Sequence, residues 1–428
     1  MINKHFKINT LITYGANAIV MGSGFILMFM INKYAGVKTY GELAIIVSTA
    51  GIIASLLTAR SGEAVTRFFV REKILNNMQN AKLIVVTGLS VDFILGILVF
   101  LFFYMLSDTI ASKFLDRPEL AWSVWIYGFI TISTFVRGSM IGYFQSHEFF
   151  RVINSIQILE AMLKVGFLLI SFFILNHINI NYIIYSYILA SFFVTLYVSI
   201  VFFYRFLKEF KSISINCNKT LIKEYFDFNM KTFFSTTLKA GNSNIDNLIL
   251  GYFTDTKTVG IYQSLKNILT PINFIATPFG MMTVSKLTKL YNEKKFLEFK
   301  NLIKTITLKI LQISLVVSLV LYVLLPYILQ ILNIDNITFS YQIVFIAMIL
   351  YSLLTVSMWW SRIFATIVNP MMSVYGGLFL LLYNFTIMVL LTYKFQIYGL
   401  AVGIVIGYLV LYVYWIKNLY NLKGDIDK

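Results

Sequence analysis

Long apolar segments alternate with short polar ones along the whole chain, and that pattern predicts the architecture. A helix needs ~20 mainly apolar residues to cross a bilayer. Twelve such segments lie near 11–32, 41–66, 82–106, 121–143, 152–176, 182–204, 229–252, 258–285, 303–330, 339–365, 371–393 and 397–416. Transmembrane strands would alternate over ~10 residues. Runs such as Leu308–Leu325 are instead apolar on all faces, so helices are expected. Apolar character starts after Met1–Asn9 and continues at full span length without a small-residue cleavage site, so no cleavable signal is expected. The fold class is therefore an all-α integral membrane protein with twelve transmembrane helices.

The longest hydrophilic stretch between spans is Arg205–Phe228, with six spans on either side. This predicts an N-terminal six-helix bundle over 1–208, a basic cytoplasmic linker over 209–228, and a C-terminal six-helix bundle over 229–428. The halves share a weak match. Tyr34-Ala-Gly-Val-Lys-Thr-Tyr-Gly41 parallels Tyr252-Phe-Thr-Asp-Thr-Lys-Thr-Val-Gly260, each joining the first span of its half to the second. Two six-span lobes entering from one side would be parallel repeats about a pseudo-two-fold axis along the membrane normal. The alternative is a chance match between two turn-like loops.

Composition agrees with the pattern. Hydrophobic residues make up 58% and charged residues 13%, about half the charge of a soluble domain. A soluble multi-domain enzyme is excluded on that ground. One cysteine, Cys217, cannot build a disulfide framework, and His5, His147 and His177 lie too far apart for a histidine metal cluster. The net charge of +16 suggests nucleic acid until its placement is considered. With both termini cytoplasmic, 24 lysines and arginines fall on inner segments and 6 on outer loops. That asymmetry is a positive-inside signal, so no nucleic-acid partner is expected. The inner segment Lys286–Lys309 is amphipathic and basic, suited to the anionic inner leaflet. External loops are short, the largest about Ser107–Leu120, so any chemistry lies in the membrane or on its inner face.

Five bases remain inside the spans: Arg60, Arg137, Lys164, Lys239 and Lys266. Asp92, Glu160 and Asp246 are the acids counted with them. Ionised groups in hydrocarbon cost at least ~2.5–3.5 kcal/mol and mark cavities or partners. Glu160 and Lys164 share a helix face and can neutralise each other. Lys239 and Asp246, with Asn242 between them, form a second possible pair. Arg60 either snorkels to the inner headgroups or faces a cavity. Arg137 and Lys266 have no local partner, which points to a water-filled cavity. A lumen lined by these bases suits an anion. Their excess of +2 over the acids matches the charge of a lipid pyrophosphate, so the membrane potential would favour outward movement of the headgroup.

Gly399, Gly403 and Gly407 form a small-residue stripe, as do Gly138 and Gly142, where helices can approach closely. Pro271 and Pro278 both fall in the eighth span and should bend it, as a gate or as a static kink. Trp122, Trp125 and Trp415 sit at span ends as interfacial anchors would.

Gly41-Glu-Leu, Gly62-Glu-Ala-Val-Thr-Arg-Phe68 and Arg151-Val-Ile-Asn-Ser-Ile-Gln157 followed by Lys164 give the chain a family resemblance. It resembles the multidrug/oligosaccharidyl-lipid/polysaccharide exporter superfamily, and within it the bacterial O-antigen repeat-unit flippases. The resemblance covers essentially the whole chain. It implies an undecaprenyl-pyrophosphate-linked oligosaccharide moved from the cytoplasmic to the periplasmic leaflet of the inner membrane by alternating access. It implies membrane lipids as surroundings, and a polysaccharide polymerase and chain-length regulator as partners. No cofactor is expected. Proton or sodium coupling, or the membrane potential alone, would drive transport. Related lipid II flippases carry a cation site on the first and fifth helices of the C-terminal bundle. Asn242 and Asp246 match that region, with Asn384 offering an amide where an acid would be needed. Three other readings stand beside this one: a drug or cation antiporter, which needs an acid-dominated cavity, a membrane polysaccharide polymerase or ligase, which needs a large periplasmic loop, and a scaffold without transport.

Overall fold

A computed structural model describes residues 4–57, 61–175, 178–334, 339–369 and 371–422, which are helical almost throughout and contain no strand. Two compact units divide the chain, Met1–Asn244 and Ile245–Lys428. The first holds α1 (Lys4–Tyr34), α2 (Val37–Leu57), α3 (Ser61–Ile74), α4 (Met78–Lys113), α5 (Ala121–Tyr127), α6 (Phe129–Ser146), α7 (Phe150–Leu175) and α8 (Ile180–Phe210). α9 (Lys219–Phe253) crosses the division. The second unit continues with α10 (Thr256–Ile268), α11 (Thr270–Asn292), α12 (Phe296–Ile331), α13 (Phe339–Ser357), α14 (Ser361–Val368), α15 (Met371–Tyr383) and α16 (Val389–Tyr420), with a π-helical turn at Asn384–Met388.

The helices start and stop where the sequence supplies the groups for it. Asn77, Asn179 and Asp255 cap α4, α8 and α10, each side chain accepting a backbone N–H from the first turn. Asn76, Asp116, Glu148, Lys294 and Asn333 take positive φ at chain reversals, and Gly36 does so between α1 and α2 with φ 89°.

Among the described residues nine segments are long and apolar enough to cross a membrane. Six lie in the first unit: Ile12–Tyr34, Val37–Leu57, Met78–Lys113, Pro118–Ser146, Phe150–Ile174 and Ile180–Phe210. They coincide with the six predicted there, except that the second stops at Leu57 and α3 follows as a separate polar helix. The remaining three are Phe296–Ile331, Tyr341–Val368 and Met371–Tyr420. Two differences from the expected twelve have physical causes. The seventh and eighth predicted spans fall on α9, α10 and α11, where Asn242, Asn244, Asp246, Asn247, Gln263, Lys266 and Asn267 dilute the apolar content. The eleventh and twelfth merge into one candidate segment, broken within α16 at Gln396 (φ 50°, ψ −130°).

The expected linker is mostly helical, because α8 extends to Phe210 and α9 begins at Lys219. The compact units part inside α9, since Leu221 and Tyr225 at its start are buried in the core of the first unit beside Phe68, Phe69, Tyr143 and Phe202. The core of the second unit gathers Phe299, Trp360, Phe364, Leu411 and Trp415. Trp415 is thus a core residue, 5% exposed, and the expectation of an interfacial anchor is corrected. Trp122 is 59% exposed, as an anchor would be. α12 shows lipid-like exposure along its length, with Val316, Leu319, Val323 and Tyr327 all above 60%. Contiguous apolar surface of this kind marks a membrane contact.

Both glycine stripes bring backbones together. A Cβ on Gly62 would lie 2.7 Å from the Gly138 carbonyl oxygen, and one on Gly142 would overlap the Gly62 backbone. α3 therefore crosses α6 without side chains between them. On α16, Gly407 lies against the Tyr383 ring, and the Tyr383 hydroxyl donates to the Gly403 carbonyl at 2.8 Å.

Candidate functional site

Two clusters of intramembrane charge stand out, one in each unit. In the first, α6 carries Arg137 and α7 carries Glu160 and Lys164. The Arg137 guanidinium donates to Glu160 Oε2 at 2.6 Å, and Lys164 Nζ donates to Glu160 Oε1 at 2.8 Å. One carboxylate is shared by two cations, which leaves one positive charge in excess. Arg137 is 4% exposed and donates further to the Ser133 carbonyl at 3.2 Å, the Ser191 hydroxyl on α8 at 3.4 Å and the Thr134 hydroxyl at 3.5 Å. Lys164 Nζ lies 4.9 Å from the centre of the Tyr187 ring, a cation–π contact. Glu160, Lys164 and Tyr187 line a cavity of about 300 Å³ with Val20, Ser23, Gly24 and Leu27 of α1. Arg137 was expected to be unpaired and is not. Its partner is 23 residues away on the neighbouring helix, beyond the reach of the i,i+4 rule.

Asp92 on α4 is 2% exposed and accepts both the backbone N–H and the hydroxyl of Ser139 on α6, at 2.8 and 2.5 Å. No basic side chain pairs with it among the described residues. Its position beside Gly138 lets α4 and α6 approach closely.

In the second unit Asp246 gathers three groups. Lys266 Nζ donates to its Oδ2 at 2.5 Å, the Tyr262 hydroxyl to the same oxygen at 2.7 Å, and the Asn247 N–H to Oδ1 at 3.0 Å. Lys266 also lies 5.8 Å from the Tyr262 ring centre. The α9–α10 turn delivers these contacts, since Asp246 and Lys266 face each other across it. Lys266 was expected to lack a partner and has one. Asp246 was expected to face Lys239, whose side chain lies outside the described residues. Arg60 and the side chain of Pro278 also lie outside them. Asn242 is half-buried on α9. Asn384 is 7% exposed and opens the π-helical turn. No group of three or more histidine, cysteine or acidic residues suited to a metal occurs among the described residues.

Pro271 does not bend a continuous helix. α10 ends at Ile268, α11 begins at Thr270, and Pro271 occupies its first turn. There its missing N–H costs nothing, because the first helical N–H groups lack intrahelical partners anyway. The eighth predicted span is therefore two helices.

Two charged residues escaped the sequence reading. Glu42 on α2 is 0% exposed and accepts from the Arg117 guanidinium at 3.2 and 3.4 Å. Its signal was present, a glutamate inside an apolar run. Arg362 counted as an inner-loop residue, yet the apolar segment Tyr341–Val368 continues past it. The signal was Ile363-Phe-Ala-Thr-Ile-Val368, which follows it.

The model of one protein family, described as Polysaccharide biosynthesis protein, matches residues 6–285. Among solved structures, an inward-facing multidrug resistance MATE family transporter of the MOP superfamily aligns with TM-score 0.72 at 14% identity, covering 96% of both chains. The lipid II flippase MurJ in an inward closed conformation aligns with TM-score 0.71 at 13% identity, covering 97% of this chain and 87% of that one. A mutant of the Vibrio cholerae MATE transporter VcmN aligns with TM-score 0.57 at 14% identity over 97% and 98% of the two chains. At these identities the likeness is one of fold. A comparison with curated proteins returns no match.

Proposed function

Because the chain belongs to the polysaccharide biosynthesis protein family, we propose that it is a flippase for an undecaprenyl-pyrophosphate-linked oligosaccharide, an O-antigen or capsule repeat unit. It moves this substrate from the cytoplasmic to the periplasmic leaflet of the bacterial inner membrane, as a transporter and not an enzyme. On this reading α9 and the α10–α11 pair are the seventh and eighth of twelve crossings, both termini are cytoplasmic, and two six-helix lobes alternate access around the headgroup. The polyprenyl tail stays in lipid.

The observation that carries the reading is the Arg137–Glu160–Lys164 cluster at a cavity inside apolar helices. Two cations sharing one carboxylate hold an excess positive charge without an unpaired arginine in hydrocarbon. A diphosphate arriving at the cavity meets Lys164, 22% exposed along its side chain, and competes with Glu160 for it. Phosphate offers more acceptor oxygens than a carboxylate and a larger charge, so exchange is favourable without being irreversible. The similarity to the lipid II flippase fold supports a lipid-linked substrate.

The test is reconstitution of the full-length protein in vesicles with a fluorescent undecaprenyl-pyrophosphate-linked sugar and a membrane-impermeant quencher. Wild-type protein should expose the label across the bilayer, and Lys164→Gln should slow this roughly tenfold, the loss expected for one charge-assisted contact. Wild-type vesicles indistinguishable from protein-free ones would refute the proposal.

A further inference from the structure

α11 and α14 border a second cavity, of about 520 Å³, within the second unit. Its size falls in the range of small-molecule sites, roughly 300–1,000 Å³. Ten residues line it and Arg362 is the only charged one. Arg362 lies within an apolar candidate span, where an arginine is costly without a partner or a polar ligand. Arg137 and Lys266 solve that problem with carboxylates. No carboxylate pairs with Arg362 among the described residues, and its side chain faces the cavity instead.

The walls are shaped for a group with a polar end and an apolar end. Ala276, Gly280 and Val284 follow one another at four-residue intervals, so they share one face of α11. A Cβ built on Gly280 would meet nothing within 4 Å, so the space in front of this face is open. Thr277 beside them has a hydroxyl that makes no hydrogen bond among the described residues. Trp359 closes one side, its indole held by a 3.0 Å hydrogen bond to Thr307. The lining is thus mainly apolar, with one guanidinium and one available hydroxyl. A guanidinium fork matches the paired oxygens of a phosphate.

We infer that this cavity is a diphosphate subsite, in which Arg362 binds the phosphate oxygens and the α11 face takes the first carbons of the attached prenyl chain. The inference rests on the flippase reading for the identity of the natural ligand. The chemistry it claims is narrower: a prenyl diphosphate, in preference to either a free diphosphate or a phospholipid phosphodiester.

The test uses full-length protein in phosphatidylcholine nanodiscs, with farnesyl diphosphate as probe and farnesol, inorganic pyrophosphate and phosphatidylglycerol as comparisons. Wild-type protein should bind farnesyl diphosphate most tightly. Arg362→Gln should weaken it at least tenfold and leave farnesol unchanged, while Arg362→Lys recovers part of the loss. Gly280→Phe, which fills the open space without touching the charge, should weaken farnesyl diphosphate and farnesol while leaving inorganic pyrophosphate unchanged. Unchanged farnesyl diphosphate binding in both Arg362→Gln and Gly280→Phe overturns the inference. So does equal competition by phosphatidylglycerol, which would make the cavity an ordinary lipid site. The two readings separate cleanly. Flipping by wild-type protein with no Arg362 dependence of binding sinks the subsite alone, whereas Arg362-dependent binding without flipping sinks the flippase reading alone.

Discussion

Glu160→Gln is the most informative single change in the first unit. The substitution keeps the shape of the side chain and removes its charge. It converts one acid shared by two bases into two bases with no acid. Arg137 cannot escape, because it is 4% exposed and fixed by Ser133 and Ser191. Lys164 can partly rehydrate, being 22% exposed. Removing one partner of a fully buried pair costs about 3–5 kcal/mol. The partial exposure of Lys164 and Glu160 argues for the lower end, about 3 kcal/mol. Scaling the entropy of unfolding to a chain of this length gives roughly 1–2 °C per kcal/mol, hence a fall in melting temperature of about 3–6 °C. The assay is thermal unfolding of the purified protein in detergent, followed by intrinsic fluorescence.

Two further variants make the reasoning refutable. Arg137→Gln leaves Glu160 paired with Lys164, so it should cost less than Glu160→Gln. The double variant should cost less than the sum of the singles by about 2 kcal/mol, because Arg137 is then no longer stranded without an acid. Costs that add within about 0.5 kcal/mol would mean that the 2.6 Å contact carries no coupling, and that Arg137 has another source of compensation.

The other predictions test packing and charge elsewhere. Gly142→Ala should destabilise by about 2 kcal/mol, since its Cβ overlaps the Gly62 backbone, whereas Gly166→Ala, with open space around it, should be neutral or slightly stabilising in the same melting assay. Gln396→Gly should raise stability by about 1 kcal/mol, because φ 50° with ψ −130° is a conformation that only glycine adopts without strain. Asp246→Asn should cost about 2–3 kcal/mol, as Lys266 loses its counter-charge and one amide oxygen replaces two carboxylate oxygens that serve Lys266, Tyr262 and the Asn247 N–H. Lys289→Gln should change the melting temperature by less than about 1 °C, because its ion pair with Glu293 is largely exposed, 74% at the lysine.

The apolar segments of the first unit were almost fully legible in the sequence, because each of the six is long and isolated charges such as Asp92, Arg137 and Glu160 do not interrupt them. The second unit was less so. α9, α10 and α11 carry polar side chains along their length, and hydropathy alone does not set their boundaries. The break before Pro271 shows the limit of reading a proline as a kink. In the first turn of a helix it needs no hydrogen bond, so the same residue that would bend a helix can begin one. The two glycine stripes were legible as close approaches, and the structure adds only which backbone or ring each one meets.

The charges were the least legible part, for a geometric reason. Sequence spacing detects partners on one helix, three or four residues apart. It found Glu160 and Lys164, and it also offered Lys239 with Asp246, a pair whose lysine side chain lies outside the described residues. The pairs that decide the electrostatics join different helices, Arg137 with Glu160 and Asp246 with Lys266, and Glu42 pairs with the distant Arg117. Among the intramembrane residues first singled out, those with described side chains are three bases and three acids, so that set carries no net charge. The excess of +2 inferred from the sequence therefore does not reside there. It depends on Arg60 and Lys239, and of the two residues missed in the count Arg362 adds a base and Glu42 an acid. This changes where an anion would be held. Paired cations can receive a phosphate only by releasing a carboxylate, which makes them weak, exchangeable contacts. A cation that faces a cavity without an acid has no such competitor, which makes Arg362 the stronger anchor of the two kinds.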